Sequence, residues 1–165
     1  MIICGIDGST NRTGISIFKD GKYITHTVID CHKITDAYKR IPQMASEIYK
    51  YLDSVDNIDV IIMEKSVLKS NIDVVQKLSN LAGAIMIYAF QKGIKFEHPI
   101  PTAWRKKVGL QQSSKIKRDV LKAEAILAVK QEYGIDTSDD GAESILLARS
   151  GFDLPKIAIT EADIF

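Results

Sequence analysis

The first fourteen residues, Met1-Ile-Ile-Cys-Gly-Ile-Asp-Gly-Ser-Thr-Asn-Arg-Thr-Gly14, constrain the fold more than any other stretch. Ile2, Ile3, Cys4 and Ile6 form an almost unbroken apolar run, the pattern of a strand covered on both faces. Asp7 closes the run, and Gly8, Ser9, Thr10 and Asn11 are turn formers. A carboxylate at the edge of a doubly buried strand is costly to desolvate unless it is paired or binds a cation. Any fold for this chain must therefore supply Asp7 with partners.

The order of the remaining segments sets the architecture. Gly14 to Phe18 reads as a second strand, Asp20-Gly21 as a tight hairpin turn, and Tyr23 to Cys31 as a third strand. A helix is expected from Asp36 to Val55, with a kink or a later start at Pro42. Val60-Ile-Ile-Met63 is a short buried strand that again ends in a carboxylate, Glu64. A helix from Ile72 to Lys92 follows, in which Gly83 suggests close helix packing, and then a fifth strand from Ile94 to His98. Beyond Pro101 the pattern is helical: a short turn carrying Trp104, a polar loop from Gln111 to Ser114, a basic helix from Lys115 to Tyr133, and a helix from Ser138 or Asp139 to Arg149. This order predicts an α/β fold with a mixed five-stranded sheet, its first three strands antiparallel, flanked by helices. It excludes a simple doubly wound sheet.

At 165 residues the chain suits one domain spanning 1–165, with a tail from 151 to 165. No apolar run reaches the roughly 18 residues of a membrane span, so no membrane partner is expected. Cys4 and Cys31 have neither framework nor metal spacing and read as reduced core residues of a cytoplasmic protein. The net charge of +1 is uninformative, but its distribution is not. Arg105, Lys106, Lys107, Lys115, Lys117, Arg118, Lys122 and Lys130 face only Asp119 and Glu124 within their stretch, and the segment after Gln131 is acidic. A basic lobe beside an acidic cluster suits a polyanion approached by cation-binding carboxylates, although a solvated helix face and an acidic tail give the same balance.

Four acidic side chains can converge. If the first and fourth strands are neighbours, Asp7 lies near Glu64, and a helix laid across them adds Asp140 and Glu143, which are three residues apart on one helix face. Taken singly these are a turn residue, a strand terminus and helix caps. Taken together they repel one another unless divalent cations neutralise them, and hard oxygen donors favour Mg²⁺ or Mn²⁺. A pair of such ions can activate water and stabilise the leaving oxygen of a phosphodiester.

These blocks resemble the RuvC family of Holliday-junction resolvases, in particular its short phage-encoded members. The resemblance rests on Gly5-Ile6-Asp7 with Thr13-Gly14, and on Glu64, Asn71, Lys77-Leu78 and Gly83. It continues through Pro101 to Gly109 with Arg105, through Lys117, and through the final pair Asp140 and Glu143. It covers the chain to about residue 150. What it implies is a ribonuclease H-like fold over 1–150 and a homodimer that cuts branched DNA symmetrically by phosphodiester hydrolysis. Asp7, Glu64, Asp140 and Glu143 would be the catalytic metal ligands for Mg²⁺, with Mn²⁺ substituting. Arg105 and Lys117 would lie nearest the scissile phosphate, while Asn71, Lys106, Lys107, Lys115 and Arg118 would bind DNA.

Val67 stands where cellular members carry an aromatic wedge, so activity on replication forks and flaps is expected beside four-way junctions. Gly8-Ser9 replaces a frequent Pro-Gly, and Glu143 replaces a common Asp. Location in the cytoplasm, of the host for a phage enzyme, follows from the same reading. Two alternatives keep the carboxylates or the fold: a related nuclease acting on structured RNA, and a DNA-structure binder that does not cleave. An actin-like phosphate loop at Asp7-Gly-Ser-Thr10 would require a second lobe for which the chain has no room.

Overall fold

The structure is a computed structural model, and it describes residues 1–67, 71–110 and 116–159. Ten elements run in the order β1 (Ile2–Asp7), β2 (Arg12–Lys19), β3 (Lys22–Asp30), α1 (Ala37–Asp53), β4 (Val60–Met63), α2 (Ile72–Lys92), β5 (Lys95–Glu97), α3 (Pro101–Val108), α4 (Arg118–Tyr133) and α5 (Asp139–Arg149). The sheet order is β3-β2-β1-β4-β5. β1 is antiparallel to β2 and parallel to β4; β2 pairs antiparallel with β3, and β4 parallel with β5. The mixed five-stranded sheet with three antiparallel strands first is thus present as expected. Its β2–β3 hairpin turns at Asp20-Gly21, both with positive φ (50° and 78°), as a tight twisted hairpin requires.

β1 is central, and its side chains divide two cores. Cys4 and Ile6 join Ile61 and Met63 of β4 beneath α1 and α2. Ile3, with Val60 and Ile62, faces the opposite core, built with α3, α4 and α5. Strand periodicity therefore turns Asp7 and Glu64 toward the α5 face, since each lies two residues beyond a member of its strand's alternation. The parallel register pairs Ile6 with Met63, and the Glu64 amide donates to the Ile6 carbonyl at 3.4 Å. Both strand ends thus bring a carboxylate to one edge and one face.

α5 reaches that face because β1 and β2 carry small residues there. A Cβ on Gly5 would lie 2.3 Å from the Ser144 carbonyl oxygen, and one on Gly14 would lie 1.9 Å from that of Asp140. Between them Ser16 donates its hydroxyl to the Ser144 carbonyl at 2.7 Å. The Ser138 side chain caps α5 by accepting from the Gly141 amide. The first turn of the helix, with Asp139 and Asp140, is therefore seated at the end of β1 and β2.

Several details differ from the sequence reading. α1 runs through Pro42 from Ala37, with Asp36 as its N-cap. α4 begins at Arg118, three residues later than expected, with Lys117 at the N-cap position. Lys115 and the loop from Gln111 to Ser114 lie outside the described residues. Gly83 does not mark close packing: a Cβ there would meet nothing within 4 Å. Its side of α2 carries exposed Met86, Ile87 and Phe90, the last 85% exposed, whereas Leu81, Ala82, Ile85 and Ala89 are buried. Among the described residues no helix is long and apolar enough to cross a membrane.

The close seating of α5 is directly testable. Gly14→Ala is expected to destabilise the protein by about 1–3 kcal/mol, because the added methyl meets backbone that can move only with the whole helix. Urea denaturation measures this, and an unchanged midpoint would contradict the packing described.

Candidate active site

Asp7, Glu64, Asp140 and Glu143 share one electrostatic environment at this edge of the sheet. Burial pushes the Asp7 carboxyl well above the usual carboxylate range, and the negative charges of Glu143, Glu64, Asp140 and Asp139 push it further. Glu143 is raised to about 7, first by burial and then by Glu64, despite Arg105 and Lys122 pulling it down. Asp140 is raised by burial and by Asp139, opposed by Arg12, Lys122 and Arg118. Asp139 is the exception: burial is outweighed by a hydrogen bond from Lys122, and its carboxyl is lowered. The four residues expected from the sequence are therefore close enough to act on one another's charge, and the other three all raise Asp7.

Protein donors are drawn onto the flanking acids. The Trp104 indole N–H donates to Glu64 Oε2 at 2.5 Å. Arg105 donates to Glu143 Oε1 at 3.1 Å, and Arg12 lies 3.6 Å from Asp140 and 3.8 Å from Asp30. Among the described residues no group of three or more His, Cys, Asp or Glu side chains is arranged to hold a metal ion. The donor chemistry nonetheless fits a hard cation: the convergent groups are all carboxylates, and their mutual repulsion is what such an ion relieves.

The basic residues separate into distinct places. Arg105, expected at the scissile phosphate, is instead buried, 2% exposed, where it also bonds Glu124 and the Leu121 carbonyl of α4. A guanidinium so enclosed is part of the scaffold behind the carboxylates. Lys106 and Lys107 lie on the exposed side of α3, where they border a cleft of about 360 Å³ with Phe152, Asp153, Leu154 and Lys156. Lys117 and Arg118 are exposed at the start of α4, and Arg118 is close enough to lower Asp140. Asn71 caps α2, accepting from the Asp73 amide at 2.9 Å. His98 reaches the Glu64 carbonyl with Nε2 at 3.2 Å and so stands beside the site.

The sequence does not mark Arg12, Lys122 or Glu124 as members of this environment, and it places Trp104 only on a short helical turn. Glu124 had a usable signal, being an acid on the apolar side of α4 among Leu121, Ala125 and Ala128. Arg12 had none beyond its place in the first turn.

A mixed sheet of this order, with an acidic edge formed by β1, β4 and α5, defines a ribonuclease H-like protein, and comparison with known proteins supplies the family. The profile of the crossover junction endodeoxyribonuclease RuvC matches residues 3–146. The chain belongs to that family. Among solved structures, RuvC of Thermus thermophilus in complex with Holliday junction substrate aligns with a TM-score of 0.70 at 15% identity, covering 91% of this chain and 92% of that one. Fowlpox virus resolvase, in complex with substrate Holliday junction DNA, aligns with a TM-score of 0.56 at 20% identity over 90% of this chain and 97% of its own. The yeast mitochondrial Holliday junction resolvase Ydc2 gives 0.55 at 16% identity, over 90% and 76%. At these identities the likeness is one of fold. No curated protein sequence matches the chain at a significant level.

The repulsion has a pH signature. Asp7, Asp140 and Glu143 hold protons to higher pH in the folded than in the unfolded protein. Their contribution to stability is therefore present below the unfolded values and lost as pH rises through the folded ones, near 7 for Glu143. Without divalent ions, Asp7→Asn should melt higher than the native protein, and the gap should widen from pH 5 to pH 8 to on the order of 1–3 kcal/mol. Measuring the difference cancels the titration of His26 and His98, which burial lowers. A variant less stable than native at pH 8 would contradict the electrostatic assignment.

Proposed function

We propose that this protein is a divalent-cation-dependent endonuclease that cleaves branched DNA, acting on four-way junctions and also on forks and flaps. The observation that carries the reading is the convergence of Glu64, Asp140 and Glu143 on the half-buried Asp7, in a chain that belongs to the RuvC family. Asp7, Glu64, Asp140 and Glu143 would hold Mg²⁺, with Mn²⁺ as a substitute. A divalent ion in such a site supplies the charge that activates water and stabilises the leaving oxygen of a phosphodiester.

The surrounding residues fit the same substrate. Lys117 and Arg118 are exposed at the start of α4, with Arg118 near enough to act on Asp140, and both suit the phosphates flanking the cut. Lys106, Lys107 and Lys156 extend a positive surface along α3 toward a departing DNA arm, and Lys115 belongs to the same basic run. Such contacts position DNA without reading its sequence. Asn71, at the tip of α2, would contact DNA beside Glu64. Val67 is exposed and aliphatic, which suits tolerance of several branched shapes in place of wedging one open.

We assign residues 1–165 to one nuclease domain acting as a homodimer, with Met86, Ile87 and Phe90 of α2 as the dimer face. Three large apolar side chains around an open glycine form a surface that a second copy would cover. The free, buried Cys4 and Cys31 suit a reducing cytoplasm, that of the host if the gene belongs to a phage.

The direct test is incubation of a synthetic four-way junction with Mg²⁺ or Mn²⁺. Cleavage by the native protein should be abolished in Asp7→Asn and Glu64→Gln, while junction binding persists and weakens steeply with salt. Equal cleavage by those variants would remove the assignment of the carboxylates. A structured RNA cut in preference to the junction would move the reading to an RNA nuclease. Sedimentation checks the assembly: the native protein should be dimeric and Phe90→Glu monomeric, and a native monomer would remove the basis for paired cuts.

A further inference from the structure

α3 presents two consecutive side chains to the acidic edge, and they grip different carboxylates. Trp104 and Arg105 are both 2% exposed. Successive helix positions diverge by about 100°, so one short helix can address two separate groups. The indole N–H of Trp104 donates to Glu64 at the end of β4, while the guanidinium of Arg105 donates to Glu143 on α5. The guanidinium also lies 5.3 Å from the centre of the indole ring, so the two residues brace each other.

Arg105 is held from behind. Its second terminal nitrogen donates to Glu124 at 2.9 Å and to the Leu121 carbonyl at 3.0 Å. The Arg105 and Glu124 side chains are each only 3% exposed. A buried ion pair of this kind contributes little net stability, because desolvation offsets the attraction, and well-packed apolar residues often do as well. Stability alone is thus a poor reason for placing a guanidinium and a carboxylate inside this core. What the pair does supply is direction. The planar guanidinium is fixed at one end by Glu124 and aims its other N–H groups at Glu143.

We propose that Trp104, Arg105 and Glu124 are positioning residues that set the orientations of Glu64 and Glu143 for a divalent cation, Glu124 acting by anchoring Arg105. This rests on reading the four carboxylates as cation ligands. Indole and guanidinium groups only donate, and a carboxylate offers about four lone-pair sites, so such donors orient Glu64 and Glu143 while leaving acceptor capacity for an ion. Partners that orient ligands in this way govern affinity for the ion. The basic residue that the sequence offers to DNA thereby acts on the metal ligands from inside the protein.

The test measures Mn²⁺ binding itself, from the electron paramagnetic resonance signal of the free ion, in native protein, Trp104→Phe and Glu124→Gln. Trp104→Phe keeps a ring and removes the N–H; Glu124→Gln keeps the shape and removes the charge. Each variant should bind Mn²⁺ about 10- to 100-fold more weakly than native. Junction affinity in EDTA should stay within about twofold, since phosphate contacts carry it. Cleavage by Trp104→Phe should shift to higher Mg²⁺ and recover toward the native rate at saturation, which a merely structural role would not produce. Mn²⁺ affinity unchanged in the folded variants would overturn the proposal, as would a native protein that binds no Mn²⁺. If Glu124→Gln does not fold, Trp104→Phe decides. A native protein that binds Mn²⁺ but leaves every branched DNA uncut removes the nuclease reading alone, and the affinity comparison still judges the positioning.

Discussion

α5 can lie against the sheet only because β1 and β2 have no side chains at Gly5 and Gly14. With any larger residue there, the carbonyl oxygens of Ser144 and Asp140 would collide with a Cβ. The contact is backbone on backbone, and it carries the first turn of α5 to the ends of the two strands that frame Asp7. Everything acidic about the site follows from this approach. Without it Asp7 and Glu64 would be a strand-end pair, and Asp140 and Glu143 would belong to a helix standing off the sheet.

The cost of the approach is electrostatic. Half-buried carboxylates face one another, and Asp7 and Glu143 are held above their ordinary ionisation range. Each flanking acid is tethered by a cationic or N–H group from another part of the chain: Glu64 by Trp104 and Glu143 by Arg105, both on α3, Asp140 by Arg12 on β2, and Asp139 by Lys122 on α4. Asp7 is the group that all the repulsion reaches. In a protein of marginal stability, a standing repulsion of this kind is a local destabilisation that makes sense if a cation relieves it.

The parts of the molecule that could be read from the residues are those with local or periodic causes. The doubly apolar β1, the Asp20-Gly21 hairpin and the strand-end position of Glu64 all follow from alternation and turn chemistry. The pairing of Asp140 with Glu143 follows from helical spacing. Arg105 could not be placed this way. In a stretch rich in lysine it looked like one more phosphate contact, yet its partners Glu124 and Glu143 lie 19 and 38 residues away. Burial of a charge is decided by such distant pairings, and no local period encodes them. Gly83 misled for a related reason: a glycine in an apolar helix face looks the same whether a neighbouring helix covers it or open space surrounds it. The role of Trp104 was hidden likewise, because the indole had to be placed against β4 before its N–H could be seen to meet Glu64.

The central claim is that Asp7 and its neighbours form a cation site. The most direct measurement is anomalous scattering from crystals of the native protein grown with Mn²⁺. A cation site there requires a peak within coordination distance, about 2.0–2.3 Å, of an Asp7 carboxylate oxygen, with at least one of Glu64, Asp140 and Glu143 as a further ligand. Well-ordered crystals in which Mn²⁺ is bound elsewhere, with Asp7 touching only protein or water, would contradict it.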